Sequence, residues 1–242
     1  MADEAYEGRK ARMNWQLACL DMAGTTVRDD GLVEKAFTVS VAAEDGFTPG
    51  SAGYERALRF VRETMGQSKI EVFRGLLGDE GRAVAANARF EEAYGDLVRA
   101  GHVQPIPGAE AAIRSLRGLG LSIALTTGFA RPTQDAILEA LGWRSLVDLA
   151  LCPSDVPRGR PYPDMVLAAV LRLGVTDVRS VVVAGDTPSD IYSGLRAGAG
   201  IVAGVLTGLS DLEAFSAAGA THVLASVNEL PGLLRAMSPR AA

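Results

Sequence analysis

The sequence is poor in residues that would commit it to several chemistries. It has only 2 cysteines. Cys19 and Cys152 both sit in apolar, strand-like runs and read as buried free thiols, not as a disulfide. It has only 2 histidines, His102 and His222, and both read as structural. No block of basic residues occurs; 24 Lys and Arg against 29 Asp and Glu leave a net charge of −5. Nucleic acid and anionic membrane surfaces are therefore not expected partners. No apolar run approaches the ~18 residues of a membrane span. Residues 1–14 mix acids and bases and lack the apolar centre of a signal peptide, so the cytoplasm is the expected location. There is no internal repeat and no low-complexity linker.

What is present is ordinary for a soluble globular protein: 242 residues, 48% apolar and 22% charged, enough for one large domain or a core with a smaller companion. The organising stretch is Leu17-Ala-Cys-Leu-Asp-Met-Ala-Gly-Thr-Thr26. An apolar run ending in an acid reads as a buried strand that sets Asp21 at the C-terminal edge of a sheet. In open parallel sheets ligands bind at that edge.

From Glu34 to about Arg99 the pattern is helical with no strong strand. One helix runs around Ala36–Ala42, another around 54–65, a third from Lys69 to near Gly78, and one or two more fill 83–99. Ser68 and Glu71 have capping-box spacing, which predicts a helix start at Lys69. After Pro105-Ile-Pro-Gly108, strands and helices alternate. Strands are expected at 121–126, 146–152, 180–184, 201–206 and 222–224, with helices at 109–119, 132–141, 164–173, 189–197, 212–217 and 229–237. Alternation of this kind implies an α/β fold with a doubly wound parallel sheet. The domains expected are an α/β core over 1–30 and 104–242 and an inserted all-helical domain over 31–103.

Polar groups recur at four strand ends: Asp21; Thr127 with Gly128; Arg160 in the loop after the third strand; and Asp186 with Asp190. Two carboxylates on different strand tips suit Mg²⁺ together with a substrate oxygen and waters. Thr127 and the Gly128 N–H suit phosphate oxygens, and the fork of Arg160 suits the same group. Asp21 is then placed to attack phosphorus as a covalent nucleophile. Each piece alone also has a plain structural reading. Asp190, for example, fits a helix cap behind Thr187 and Pro188. Their combination in this order points to chemistry.

From Leu17 onward the chain resembles the haloacid dehalogenase superfamily, in its Rossmannoid core and helical cap. The family's Asp-x-Asp-x-Thr motif is altered here: Ala23 stands in Asp21-Met-Ala-Gly-Thr25 where most of its phosphatases keep a second Asp. Arg160 replaces the usual Lys. Both departures, and Gly159-Arg-Pro-Tyr-Pro163, resemble the phosphonatase (phosphonoacetaldehyde hydrolase) branch. Met65-Gly-Gln-Ser-Lys-Ile70 is similar to the cap segment that carries that branch's Schiff-base lysine, at Lys69. The resemblance implies Mg²⁺ held by Asp21, the Ala23 carbonyl and Asp186, with Asp190 in support. It implies a phosphonate substrate bound by Thr127, Gly128, Arg160, Met65 and Gly66. It also implies a cytoplasmic enzyme that is a homodimer through cap helices. The chemistry is coherent: cleaving a C–P bond needs an electron sink for a carbanion, which an iminium on Lys69 supplies, so the acid absent at position 23 is dispensable. Two positions depart from the branch: Val72 replaces its cap histidine and Phe129 its tyrosine. A hydroxylated relative of phosphonoacetaldehyde is an alternative substrate. The competing readings are a slow phosphomonoester phosphatase without Schiff-base chemistry and a non-enzymatic phosphate-binding module.

Overall fold

The computed structural model describes residues 14–237; almost all of the polar stretch 1–14 lies outside the described residues. The elements are β1 (Leu17–Asp21), α1 (Leu32–Val41), α2 (Ala52–Glu63), α3 (Lys69–Leu77), α4 (Glu80–Arg99), α5 (Ala109–Gly118), β2 (Ser122–Thr126), α6 (Arg131–Ala140), β3 (Leu149–Leu151), α7 (Asp164–Arg172), β4 (Val181–Gly185), α8 (Pro188–Ala197), β5 (Ile201–Val205), α9 (Leu212–Ala218), β6 (His222–Leu224) and α10 (Leu230–Met237).

The six strands form one parallel sheet in the order β3-β2-β1-β4-β5-β6. Every residue of β1, β4 and β5 is buried, as expected for strands covered on both faces. Strand order reverses at β1, whose neighbours are β2 and β4. The crevice beyond their C-terminal ends is the switch point where such sheets bind ligands. Asp21 closes β1 there, and Asp186 follows β4 directly.

Residues 32–99 hold α1 to α4 and no strand. Phe37, Phe73 and Phe90 meet at the centre of this helical segment, with ring centroids 5.9 and 6.1 Å apart. The aromatic chain continues across to the sheet half of the molecule, where Tyr94 meets Phe129 at 4.6 Å.

One local expectation is sharpened and two are corrected. The stretch 83–99 is one helix beginning at Glu80, because Asp79 caps it by accepting the Arg82 N–H at 2.8 Å. The Ser68–Glu71 capping box does not form: the Ser68 side chain makes no cap bond, and Glu71 pairs with Arg74 at 2.5 Å. The third strand shrinks to Leu149–Leu151 because a 3₁₀ turn at Trp143–Ser145 takes up the approach, and the Asp148 carboxylate receives the Ile123 N–H. Cys19 and Cys152 are buried free thiols. Burial pushes Cys19 up to about 12, so it stays a thiol.

Candidate active site

At the switch point a cavity of about 510 Å³ opens between the sheet edge and the helical segment. Its lining brings together nine of the ten residues singled out from sequence: Asp21, Ala23, Met65, Gly66, Lys69, Thr127, Gly128, Arg160 and Asp186. Neither His102 nor His222 is among them.

The tenth, Asp190, is outside the cavity lining and takes part in the cap of α8, as its plain structural reading expects. Its Oδ2 accepts the Thr187 N–H at 3.2 Å and the Thr187 hydroxyl at 2.6 Å, starting α8. Its Oδ1 pairs with Arg160. The same Nη1 of Arg160 lies 2.7 Å from Oδ1 of Asp21. Two carboxylates therefore hold one guanidinium at a single nitrogen. Arg160 is only 5% exposed, and its Nε and Nη2 find no partner among the described residues. Donors buried without acceptors are costly. Beside a cavity, these two suit an anion with several oxygens.

The carboxylates show the complementary deficit. One oxygen from each of Asp21, Asp186 and Asp190 lies within 4.8 Å of the others. Three acids against one guanidinium leave the cluster two positive charges short. Burial pushes Asp21 up to about 6 against the opposing pull of Arg160. Burial and the neighbouring acids likewise push Asp186 well above the usual carboxylate range. Asp186 receives only long contacts, from the Thr25 hydroxyl and the Leu209 N–H, each at 3.4 Å. It is also wedged against Gly24 and Gly208, where any Cβ would come within 2.3 and 1.9 Å of its Oδ2. An under-satisfied buried carboxylate among hard oxygen donors fits a divalent cation such as Mg²⁺. Asp21, Asp186 and Ala23 are the cavity residues suited to hold it.

Lys69 comes from the opposite wall. It is the first residue of α3, and its backbone N–H donates to the Gly128 carbonyl at 3.2 Å. Its side chain is buried, with Nζ 3.9 Å from the Met65 sulfur and 5.6 and 5.9 Å from the ring centres of Phe129 and Phe90. Burial lowers its pKa to about 8, although Asp29 pulls the other way. Helical segment and sheet edge fit closely here: a Cβ on Gly128 would sit 2.2 Å from the Gln67 carbonyl oxygen, and one on Gly66 2.4 Å from the Thr187 hydroxyl.

Sequence reading missed part of this wall. Asp29 and the loop Thr207-Gly208-Leu209 line the cavity. Phe90 and Tyr94 close over Lys69 and Phe129 from α4. Only the helical periodicity of 83–99 hinted at these last two; no local motif marks the others.

A protein-family model described as haloacid dehalogenase-like hydrolase matches residues 15–198. The chain belongs to this family of hydrolases. Within it, a phosphonoacetaldehyde hydrolase of Syntrophobacter fumaroxidans is 36% identical over 199 residues, which cover 74% of this chain and 68% of that protein. A phosphonoacetaldehyde hydrolase of Bacteroides fragilis is 29% identical, with 91% of this chain and 96% of that one covered. The solved structure of a phosphonoacetaldehyde hydrolase-like protein from Oleispira antarctica shares the fold, with a TM-score of 0.76 at 24% identity and coverage of 93% and 92%. No helix among the described residues is long and apolar enough to cross a membrane.

Proposed function

We propose that this hydrolase cleaves the C–P bond of phosphonoacetaldehyde or a close 2-oxoethylphosphonate relative. The observation that carries the reading is Lys69: a lysine buried in an aromatic and thioether pocket that opens on the same cavity as Asp21 and Arg160. A surface lysine would serve none of this, and burying one is unfavourable without a use for the neutral amine.

In this reading the unpaired Nε and Nη2 of Arg160, with Thr127 and the Gly128 N–H, bind the phosphonate. The Lys69 amine attacks the aldehyde carbon, and loss of water leaves an iminium. Asp21 attacks phosphorus; the C–P electrons pass into the iminium, giving an enamine and an aspartyl phosphate. Protonation and hydrolysis of the enamine release acetaldehyde and free Lys69, and water then releases phosphate from Asp21. Mg²⁺, when bound, supplies charge neutralisation for the phosphoryl group. Residues 31–103 act as a cap that keeps bulk water from the iminium. Homodimerisation through these helices belongs to the same reading.

The alternative is a phosphatase acting on a small phosphate monoester. It has no acid at position 23 to protonate a leaving alkoxide, and it leaves Lys69 unexplained. Inorganic phosphate release across phosphonoacetaldehyde, its hydroxylated analogue and a panel of phosphate esters separates the two. Phosphate with equimolar aldehyde from a phosphonate supports the proposal; turnover confined to esters, with alcohol as co-product, rejects it.

A further inference from the structure

Forming and hydrolysing an imine needs a group that gives and takes a proton at the substrate oxygen. The position expected to carry a histidine is Val72, which is buried among apolar side chains. The cavity itself narrows the choice. Its acids are Asp21, Asp29, Asp30 and Asp186. Asp21 and Asp186 are committed to phosphorus and the cation in the reading above. Asp30 is exposed and paired with Arg28 at 2.9 Å. Glu91 does not line the cavity; its Oε2 takes the Thr133 hydroxyl, and its Oε1 is buried without a partner among the described residues. The Tyr94 hydroxyl is buried without a partner among the described residues, and burial pushes its pKa up, which makes it a poor proton donor. Asp29 remains. Its Oδ1 accepts the Val33 N–H at 3.0 Å, which fixes the carboxylate at the start of α1. It lines the same cavity as Lys69, and its charge favours the ammonium there.

We propose that Asp29 is the proton-transfer residue of the Lys69 reaction, taking the place of a histidine; this rests on the Schiff-base reading above. As an acid, Asp29 protonates the carbinolamine hydroxyl; the C–O bond breaks, water leaves, and the nitrogen lone pair forms the iminium. The carboxylate then takes a proton from the water that adds to the second iminium, after the C–P bond has broken. Partial burial holds the Asp29 carboxyl above the usual range, which favours a proton at this position. A residue that merely caps α1 would need only an acceptor for Val33.

Asp29→Asn keeps that acceptor and removes the acid. The test uses the full chain with Mg²⁺ and phosphonoacetaldehyde. It follows phosphate release and, with borohydride present, the rate at which a reduced adduct appears on the peptide containing Lys69. Both rates should fall about 10²-fold or more in Asp29→Asn. Asp29→Ala should regain part of its activity as formate is added. Wild-type adduct formation with Asp29→Asn within about threefold of it would overturn this proposal alone. So would loss in both variants with no response to formate. No adduct on wild-type Lys69 would overturn the Schiff-base reading, and this proposal with it.

Discussion

The backbone N–H of Lys69 donates to the Gly128 carbonyl at 3.2 Å, tying the first turn of α3 to the loop that follows β2. The wall that carries Lys69 and the wall that carries Thr127 and Gly128 are thereby joined through main-chain atoms. This relationship makes close approach at Gly128 a requirement. Gly128→Ala would press a Cβ toward the Gln67 carbonyl, a backbone atom that cannot swing aside. We expect phosphonoacetaldehyde turnover to fall at least tenfold with the fold retained, checked by steady-state kinetics beside circular dichroism. Unchanged kinetics would show that closure here is not needed.

Asp21→Asn should leave less than about 1% of wild-type activity, since covalent attack on phosphorus is lost. Asp21 is buried rather than superficial. The variant should still fold because Arg160 keeps Asp190 as a partner. Phosphate-release assays and thermal melts check both halves.

Much of this site was legible because its parts are strand ends. An apolar run cut off by Asp21, or by Gly185-Asp186, marks its own place in a parallel sheet, and the sheet gathers such ends on one edge. Asp29 and Phe90 were not legible in that way. Asp29 sits in a turn-rich stretch where an acid is commonplace, and Phe90 occupies an ordinary apolar position of a helix. Only tertiary packing brings Phe90 under the Lys69 amine and Asp29 into the cavity that Lys69 lines. The Ser68–Glu71 box failed for a related reason: Arg74 offers Glu71 a stronger partner than a backbone N–H.

Arg160→Lys keeps the charge but loses the planar fork, whose Nε and Nη2 are the donors left over after Asp21 and Asp190 are served at Nη1. We expect the phosphonate KM to rise at least tenfold. An unchanged KM would place substrate binding elsewhere.

Activity should be lost in EDTA and return with Mg²⁺, and Asp186→Ala should raise the Mg²⁺ concentration required. Isothermal titration of Mg²⁺ into wild type and variant provides a reading independent of turnover. Full activity in chelator would exclude the cation site.

An amine attacks an aldehyde only in its neutral form. With the Lys69 pKa lowered to about 8, roughly a fifth of molecules carry that form at pH 7.4, against about one in a thousand for an ordinary lysine. The sign is therefore fixed: acylation of Lys69 by a small amine-reactive reagent, which needs the neutral amine and no acid, should rise about tenfold per pH unit below 8 and level off above. A rise that continues to pH 10 would mean an unperturbed, solvated lysine.

The most direct test of the account is mass spectrometry after borohydride is added during turnover of phosphonoacetaldehyde. The account predicts inactivation, a reduced adduct on the Lys69 peptide, and neither adduct nor C–P cleavage in Lys69→Arg. No adduct, with Lys69→Arg cleaving phosphonoacetaldehyde at a rate comparable to wild type, would contradict it.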